Sequence, residues 1–136
     1  MAFSHGKNTV FKIDNAAGSL QDISTYVRSA KFKQTSDDAD TTTFGSTYKS
    51  FLLGVKDGTI TIEGVWDPTV DNILNGILAH ATTKTFELGP EGSGTGAIKY
   101  TGEAVCMSYD TDHPVKEAAT FTAEFKTSGA VTRTTY

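Results

Sequence analysis

The chain has 136 residues, the size of one domain (residues 1–136) that can bury a core without a disulfide or metal. With 38% apolar and 21% charged residues, it is too apolar for wholesale disorder. A net charge of −4 without a basic segment argues against a protein that grips nucleic acid through its phosphates. It is compatible with a surface that DNA slides past. No apolar run predicts a signal peptide or a membrane span, so we expect synthesis in a cytoplasm and a soluble product.

The N-terminal part predicts two strands followed by a long loop. Residues 10–14 and 27–34 have strand patterns, and residues 15–18 between them form a turn. From residue 35 to 53 neither the strand nor the helix period fits, which predicts a loop of unusual length. This loop contains several large apolar side chains, namely Phe44, Tyr48, Phe51, Leu52 and Leu53. Packing on its own domain and contact with a partner both explain them.

The same segment carries an acidic group, Asp37, Asp38 and Asp40. The spacing lacks the twelve-residue pattern of a calcium loop that ends in Glu. We therefore interpret these carboxylates as solvated or as contacts for basic groups on a neighbouring molecule.

The middle of the chain predicts a strand over residues 59–66 and then a helix over residues 68–81. Ile60 and Ile62 alternate with polar residues in the strand. Asp67 is a helix N-cap and Pro68 suits the first helical position. An apolar stripe then predicts a core-facing side made of Val70, Ile73, Leu74, Ile77, Leu78 and Ala81.

The C-terminal part predicts strands over residues 83–88, 97–109 and 115–126, with a last short strand after residue 129. A β-bulge near Gly102 would change the buried face of the second of these strands, from that of Ile98 and Tyr100 to that of Val105, Met107 and Tyr109. The sequence thus predicts a mainly β (α+β) fold, an antiparallel β-sandwich or half-barrel with one flanking helix.

Motifs for catalysis are missing, and the expectation is a protein that is not an enzyme and needs no cofactor or metal. The glycine-rich segment 92–96 lacks the Lys-Ser or Lys-Thr of a phosphate loop and precedes a strand. His113 follows Asp110 and Asp112 in a segment that is interpreted as a structural turn. No second cluster of possible ligands supports a metal site there. Cys106, the single cysteine, lies in an apolar strand pattern and is interpreted as a core residue.

Several segments together resemble the tail tube proteins (major tail proteins) of long-tailed siphophages and prophages. They occur in one order along nearly the whole chain. These segments are residues 11–18, 20–24, 39–45, 63–66, 120–125 and 129–133.

The resemblance implies a β-sandwich with a flanking helix, six copies of which form a ring by joining their sheets around a channel. Rings would stack into a hollow virion tube, built from protein synthesised in the host bacterial cytoplasm. Its partners would be other copies, the tape measure, tail terminator and tail tip proteins, and DNA as non-specific passing cargo, without a membrane. The long loop in this family commonly reaches a neighbouring subunit or ring.

Two groups of residues follow as site predictions. The assembly loop comprises Asp40, Thr43, Phe44, Gly45, Tyr48 and Phe51, and the channel wall comprises Thr122, Glu124 and Lys126. A carbohydrate-binding or adhesive β-sandwich is the main rival interpretation, and a small hydrolase is a weaker one. Exposed aromatic side chains on a sheet face would favour the former.

Overall fold

The computed structural model describes residues 6–45 and 47–136. Within them, a single antiparallel sheet has the strand order β2-β1-β5-β6-β7-β4-β3, accompanied by one α-helix and one 3₁₀ turn. In chain order the elements are the 3₁₀ turn Gly6–Asn8, β1 Val10–Asp14, β2 Leu20–Asp22, β3 Val27–Asp40, β4 Phe51–Val65, α1 Pro68–Ile77, β5 Lys84–Gly89, β6 Ile98–Asp112 and β7 Thr120–Thr135. The predicted mainly β fold with one helix is confirmed, as one sheet rather than two separate ones.

The sheet curls strongly, which gives it the half-barrel form. Strands β3 and β5 are four places apart in the strand order and would lie roughly 19 Å apart in a flat sheet. Instead, the ring centroids of Phe32 on β3 and Phe86 on β5 are 6.2 Å apart. Phe11 on β1 and Phe125 on β7 are likewise only 5.9 Å apart across the curl. The concave side therefore encloses the hydrophobic core.

Alternation along the strands decides which residues enter this core. Ile60 and Ile62 of β4 are buried, as predicted, as are Phe121, Ala123 and Phe125 of β7. On β6, however, Ala104 and Cys106 are buried, whereas Met107 is 59% exposed. The β6–β7 register shifts between Cys106 and Ser108, so the buried face changes at Met107 and the prediction of a change at Gly102 was wrong. Near Gly102 the extra residues belong to β7, around Gly129.

Helix α1 begins where predicted. The Asp67 carboxylate accepts a hydrogen bond from the Thr69 N–H at 2.8 Å, and Pro68 occupies the first turn. The buried face consists of Val70, Ile73, Leu74 and Ile77.

The helix ends earlier than the predicted residue 81. Ala79 adopts a positive φ of 50°, and its N–H donates to the Cys106 carbonyl of β6 at 3.0 Å. Leu78 forms a bridge with Cys106 and is 38% exposed, and Ala81 is exposed, so their assignment to the core was wrong. The Cys106 carbonyl lies at the register shift of the β6–β7 ladder. Its hydrogen bond with the Ala79 N–H ends the helix before another turn can form.

Replacing Ile77 with Asp is expected to unfold the chain, because an unpaired carboxylate would enter a fully buried position. The expected loss is roughly 4 kcal/mol or more of unfolding free energy, measured by urea denaturation. The control is Asn72→Asp, which adds the same charge on the exposed side of the helix and should stay within about 0.5 kcal/mol of the parent. Equal stabilities of the two variants would contradict the assignment of Ile77 to the core.

Candidate assembly surfaces

The distal parts of β3 and β4 form an arm, defined here as residues 35–57. The β4–β7 ladder begins at the pair Thr59–Lys126, whereas the β3–β4 ladder continues outward as far as Asp40–Phe51. Among the described strands, this part of the hairpin pairs only with itself, so it projects beyond the sheet by roughly 20 Å. The predicted loop over residues 35–53 is therefore corrected to a hairpin, with residues 41–50 as its tip.

Large apolar side chains cover the arm without being buried. Phe44 is 108% exposed and Tyr48 is 86% exposed at the tip. Phe51, Leu52, Leu53 and Val55 on β4 are between 58% and 75% exposed. A two-stranded ribbon has no second layer to cover such groups, and a patch of this kind is typical of an interaction surface. Packing of these side chains on their own domain is not observed.

Hydrogen bonds within the chain close the arm tip. The Thr41 N–H donates to the Ser50 carbonyl at 2.9 Å, and the Ser50 N–H donates to the Thr42 hydroxyl at 2.9 Å. The Thr42 N–H donates to Asp40 Oδ1 at 2.8 Å. This backbone hydrogen bond, followed by that of the Thr42 hydroxyl, lowers the pKa of Asp40 from its usual value. The tip thus has a defined shape, and Gly45 provides its positive φ of 90°.

The structure brings all the predicted assembly residues to the outer half of the arm. Asp40 and Phe51 form the last pair of the ladder, and Thr43, Phe44, Gly45 and Tyr48 lie in the tip. The prediction omitted Val55, and it did not include Leu52 and Leu53 among the contact residues. The signal in the sequence was the apolar run of residues 51–53, followed after Gly54 by Val55.

The predicted channel residues share the face of the sheet opposite the core. Thr122, Glu124 and Lys126 alternate with buried residues on β7. On β4 they pair with Glu63, Thr61 and Thr59, and on β6 Thr122 and Glu124 pair with Asp110 and Ser108. Lys126 Nζ lies 3.8 Å from Asp57 Oδ2. This face is a polar surface of mixed charge.

The other candidate chemical groups have structural roles. Burial raises the pKa of the Cys106 thiol to about 11, so the reactive thiolate is disfavoured. His113 packs edge-on against Trp66, with ring centroids 5.2 Å apart. In the described part of the chain, no group of three His, Cys, Asp or Glu side chains is arranged to hold a metal ion. No helix there has the length and apolar character of a bilayer span.

Among residues 6–45 and 47–136, exposed aromatic side chains do not form a platform on a face of the sheet. Of the described Phe, Tyr and Trp residues, those classed as exposed are Phe44, Tyr48 and Phe51, all on the arm. The indole N–H of Trp66 donates to Asp71 Oδ1 at 3.3 Å, and the ring packs against the core. The observation that would favour a glycan-binding sheet face is therefore missing from the described residues.

Acidification should loosen the arm tip. Because the folded-state pKa of Asp40 is lowered, its carboxylate stabilises the tip above the unfolded-state pKa, and this contribution is lost as the pH falls through the folded value. We expect the protection of the Thr42 amide, measured by NMR as its exchange rate relative to the intrinsic rate at the same pH, to decrease below about pH 4. Asp40→Asn keeps an oxygen acceptor without a titrating carboxyl and should remove this dependence. The same pH profile in both proteins would contradict the role of Asp40.

Three assembled structures share this fold. The tail of an empty gene transfer agent particle, computed with C6 symmetry, has 20% sequence identity and a TM-score of 0.82, over 97% of this chain and 99% of that chain. The SPP1 tail tube has 8% identity and a TM-score of 0.78, over 98% and 80% of the two chains. The sheath–tube complex of an extracellular contractile injection system has 12% identity and a TM-score of 0.72, over 98% and 93%.

Sequence comparison with curated proteins gives no significant match. The family model described as phage tail tube protein, in contrast, matches residues 4–133. This match covers nearly the whole sequence and agrees with the fold comparison, so the chain belongs to the phage tail tube protein family.

Proposed function

We propose that six copies of this chain form a ring, that rings stack into the hollow tail tube of a phage-like particle, and that the arm connects neighbouring copies. The observation that carries the role of the arm is its row of exposed apolar side chains, from Phe44 at the tip to Val55 near the base. The C6 symmetry of the gene transfer agent tail supports the ring number. As part of this tube, the protein has a structural rather than a catalytic role.

Ring closure uses the edges of the curled sheet. Strand β3, Val27–Asp40, is one edge of the sheet, and the short β2 is the other. An edge of this length presents a row of backbone donors and acceptors that favours pairing with another chain. Joining the sheets of successive copies would satisfy these groups and produce a closed barrel, which has no free edge.

The polar face with Thr122, Glu124 and Lys126 then lines the channel. The basic residues of this face are Lys31, Lys33 and Lys126, and the acidic residues Glu63, Glu124 and Asp110 lie on the same face, so the charge is of mixed sign. DNA phosphates bind to clustered Lys and Arg, and a wall of mixed sign lets DNA pass as non-specific cargo.

The location of the protein follows from this role. It is made in the host bacterial cytoplasm, is incorporated into the virion tail, and contacts the tape measure, tail terminator and tail tip proteins. The tape measure would occupy the channel, whereas the terminator and tip proteins would meet the two ends of the tube, where a ring lacks one of its neighbours.

Removal of the arm should abolish tubes and leave the domain folded. Thr35 and Asp57 face each other in the ladder, so Asn-Gly in place of residues 36–56 would close a tight hairpin. We expect soluble protein with a cooperative thermal transition and no tubes in negative-stain electron microscopy or sedimentation. Phe44→Ser with Tyr48→Ser, in an arm of full length, should reduce tube yield in the same direction. Hollow tubes formed by the protein without the arm would contradict the proposal.

Charge reversal on the proposed channel wall should make the tube retain DNA. Glu63→Lys with Glu124→Lys adds cationic groups to each copy on the polar face, and assembled tubes should retain several-fold more short DNA fragments at low salt. The control, Glu91→Lys with Glu117→Lys, gives the same change in net charge in loops between strands. Retention is measured by co-sedimentation, and equal retention by both tubes would contradict the assignment of this face.

A further inference from the structure

A groove opens at the start of β3, on the side where the curled sheet faces β1. It has a volume of about 510 Å³. Val27 and Ala30, both partly buried, contribute apolar surface beside Phe11, which is itself buried, and Lys7 and Arg28 contribute positive charge. Acidic side chains are not among its described lining residues, although Asp22 hydrogen-bonds to Ser24, which is part of the lining. We call this site the basic groove.

The basic groove and the arm lie at opposite ends of β3. Arg28 is near the beginning of the strand and Asp40 is its last residue, a separation of roughly 40 Å along an extended strand. The arm continues β3 away from the groove, so the tip of one molecule cannot enter its own groove. Any arm in this groove must come from a second copy.

The arm complements the groove in charge and in apolar character. Its β3 side has Asp37 and Asp38, which are exposed, and its tip presents Phe44 and Tyr48. Carboxylates opposite Arg28 would form pairs that orient the tip, and an aromatic ring would cover the apolar surface at Val27 and Ala30. Asp37, Asp38 and Asp40 outnumber Lys49 in the outer part of the arm, so its net charge is opposite to that of the groove.

From this complementarity we infer that the arm tip of one copy docks in the basic groove of a copy in the next ring. This inference rests on the proposed role of the arm and identifies its receptor. A contact between two different surfaces of identical subunits is heterologous, and it repeats without closing when it acts along an axis. The groove and arm at opposite ends of β3 would therefore give the tube its direction of growth.

A second groove of about 500 Å³ lies at the base of the arm and is the main competing receptor. Its lining includes Val55, Lys56, Asp57 and Ala130. Here the positive and negative side chains are adjacent, so the charge complementarity with Asp37 and Asp38 is weaker. Docking of the arm in this second groove is the alternative that the cross-linking experiment tests.

Disulfide cross-linking between two single-cysteine partners distinguishes the receptors. One protein carries Phe44→Cys at the tip, and the other carries either Ala30→Cys in the basic groove or Ala130→Cys in the competing groove. Cys106 is replaced by Ala in all three, although it is buried. After co-assembly and mild oxidation, we expect covalent dimers with Ala30→Cys and few or none with Ala130→Cys. Selective dimers with Ala130→Cys, or none with either, would overturn the inference.

A charge swap tests the same contact without cysteines. Asp38→Lys or Arg28→Glu alone should lower the amount of sedimented tube roughly tenfold or more, and the two together should restore it. The single variants should keep the parent's thermal midpoint, since both positions are exposed. If the double variant does not restore tubes while removal of the arm still abolishes them, the groove assignment is wrong and the proposed function stands. Tubes without the arm would instead refute the proposed function.

Discussion

A two-stranded ribbon cannot bury its own side chains, and this constraint governs the arm. The curled part of the sheet covers its apolar face with opposing strands and helix α1, as the contact of Phe32 with Phe86 across the curl shows. Beyond Thr59 the β7 strand no longer pairs with β4, and the described residues of the arm, 35–45 and 47–57, are exposed. The chain nevertheless places Phe51, Leu52 and Leu53 there. Their burial requires another molecule, and a family that assembles into tubes provides identical copies.

The molecule is thus divided into a part that folds by itself and a part that is completed by assembly. The first depends on alternating residues of β4 and β7, on the apolar side of α1, and on the Asp71 carboxylate, which accepts hydrogen bonds from Trp66 and Tyr109. The second depends on contacts between copies. Under the proposed function another copy covers the arm in the tube, and this explains how the chain can carry a surface that would be a liability in a monomer.

The sequence predicted the elements that have one buried and one solvent-exposed face. Strand β1 and the start of α1 at Asp67-Pro68 were identified because core alternation and capping chemistry are local signals. The outer parts of β3 and β4 were interpreted as loop, because a ribbon exposed on both faces has no alternation to detect. Leu78 and Met107 were misplaced for another reason. A long-range bridge to Cys106 and a register shift against β7 determine their positions, and neither has a local signature.

The residue types in the sequence indicated the assembly surface, but the sequence did not indicate the groove that forms when the sheet curls. Phe44 and Tyr48 were recognised as large apolar groups in a polar segment, whereas the groove around Arg28 is formed only when the sheet curls β3 toward β1.

Hydrogen–deuterium exchange of monomers and assembled tubes tests directly whether another copy covers the arm in the tube. We predict fast exchange of residues 41–50 in the monomer and strong protection in the tube, with α1 unchanged. Equally fast exchange of the arm in both states would contradict it.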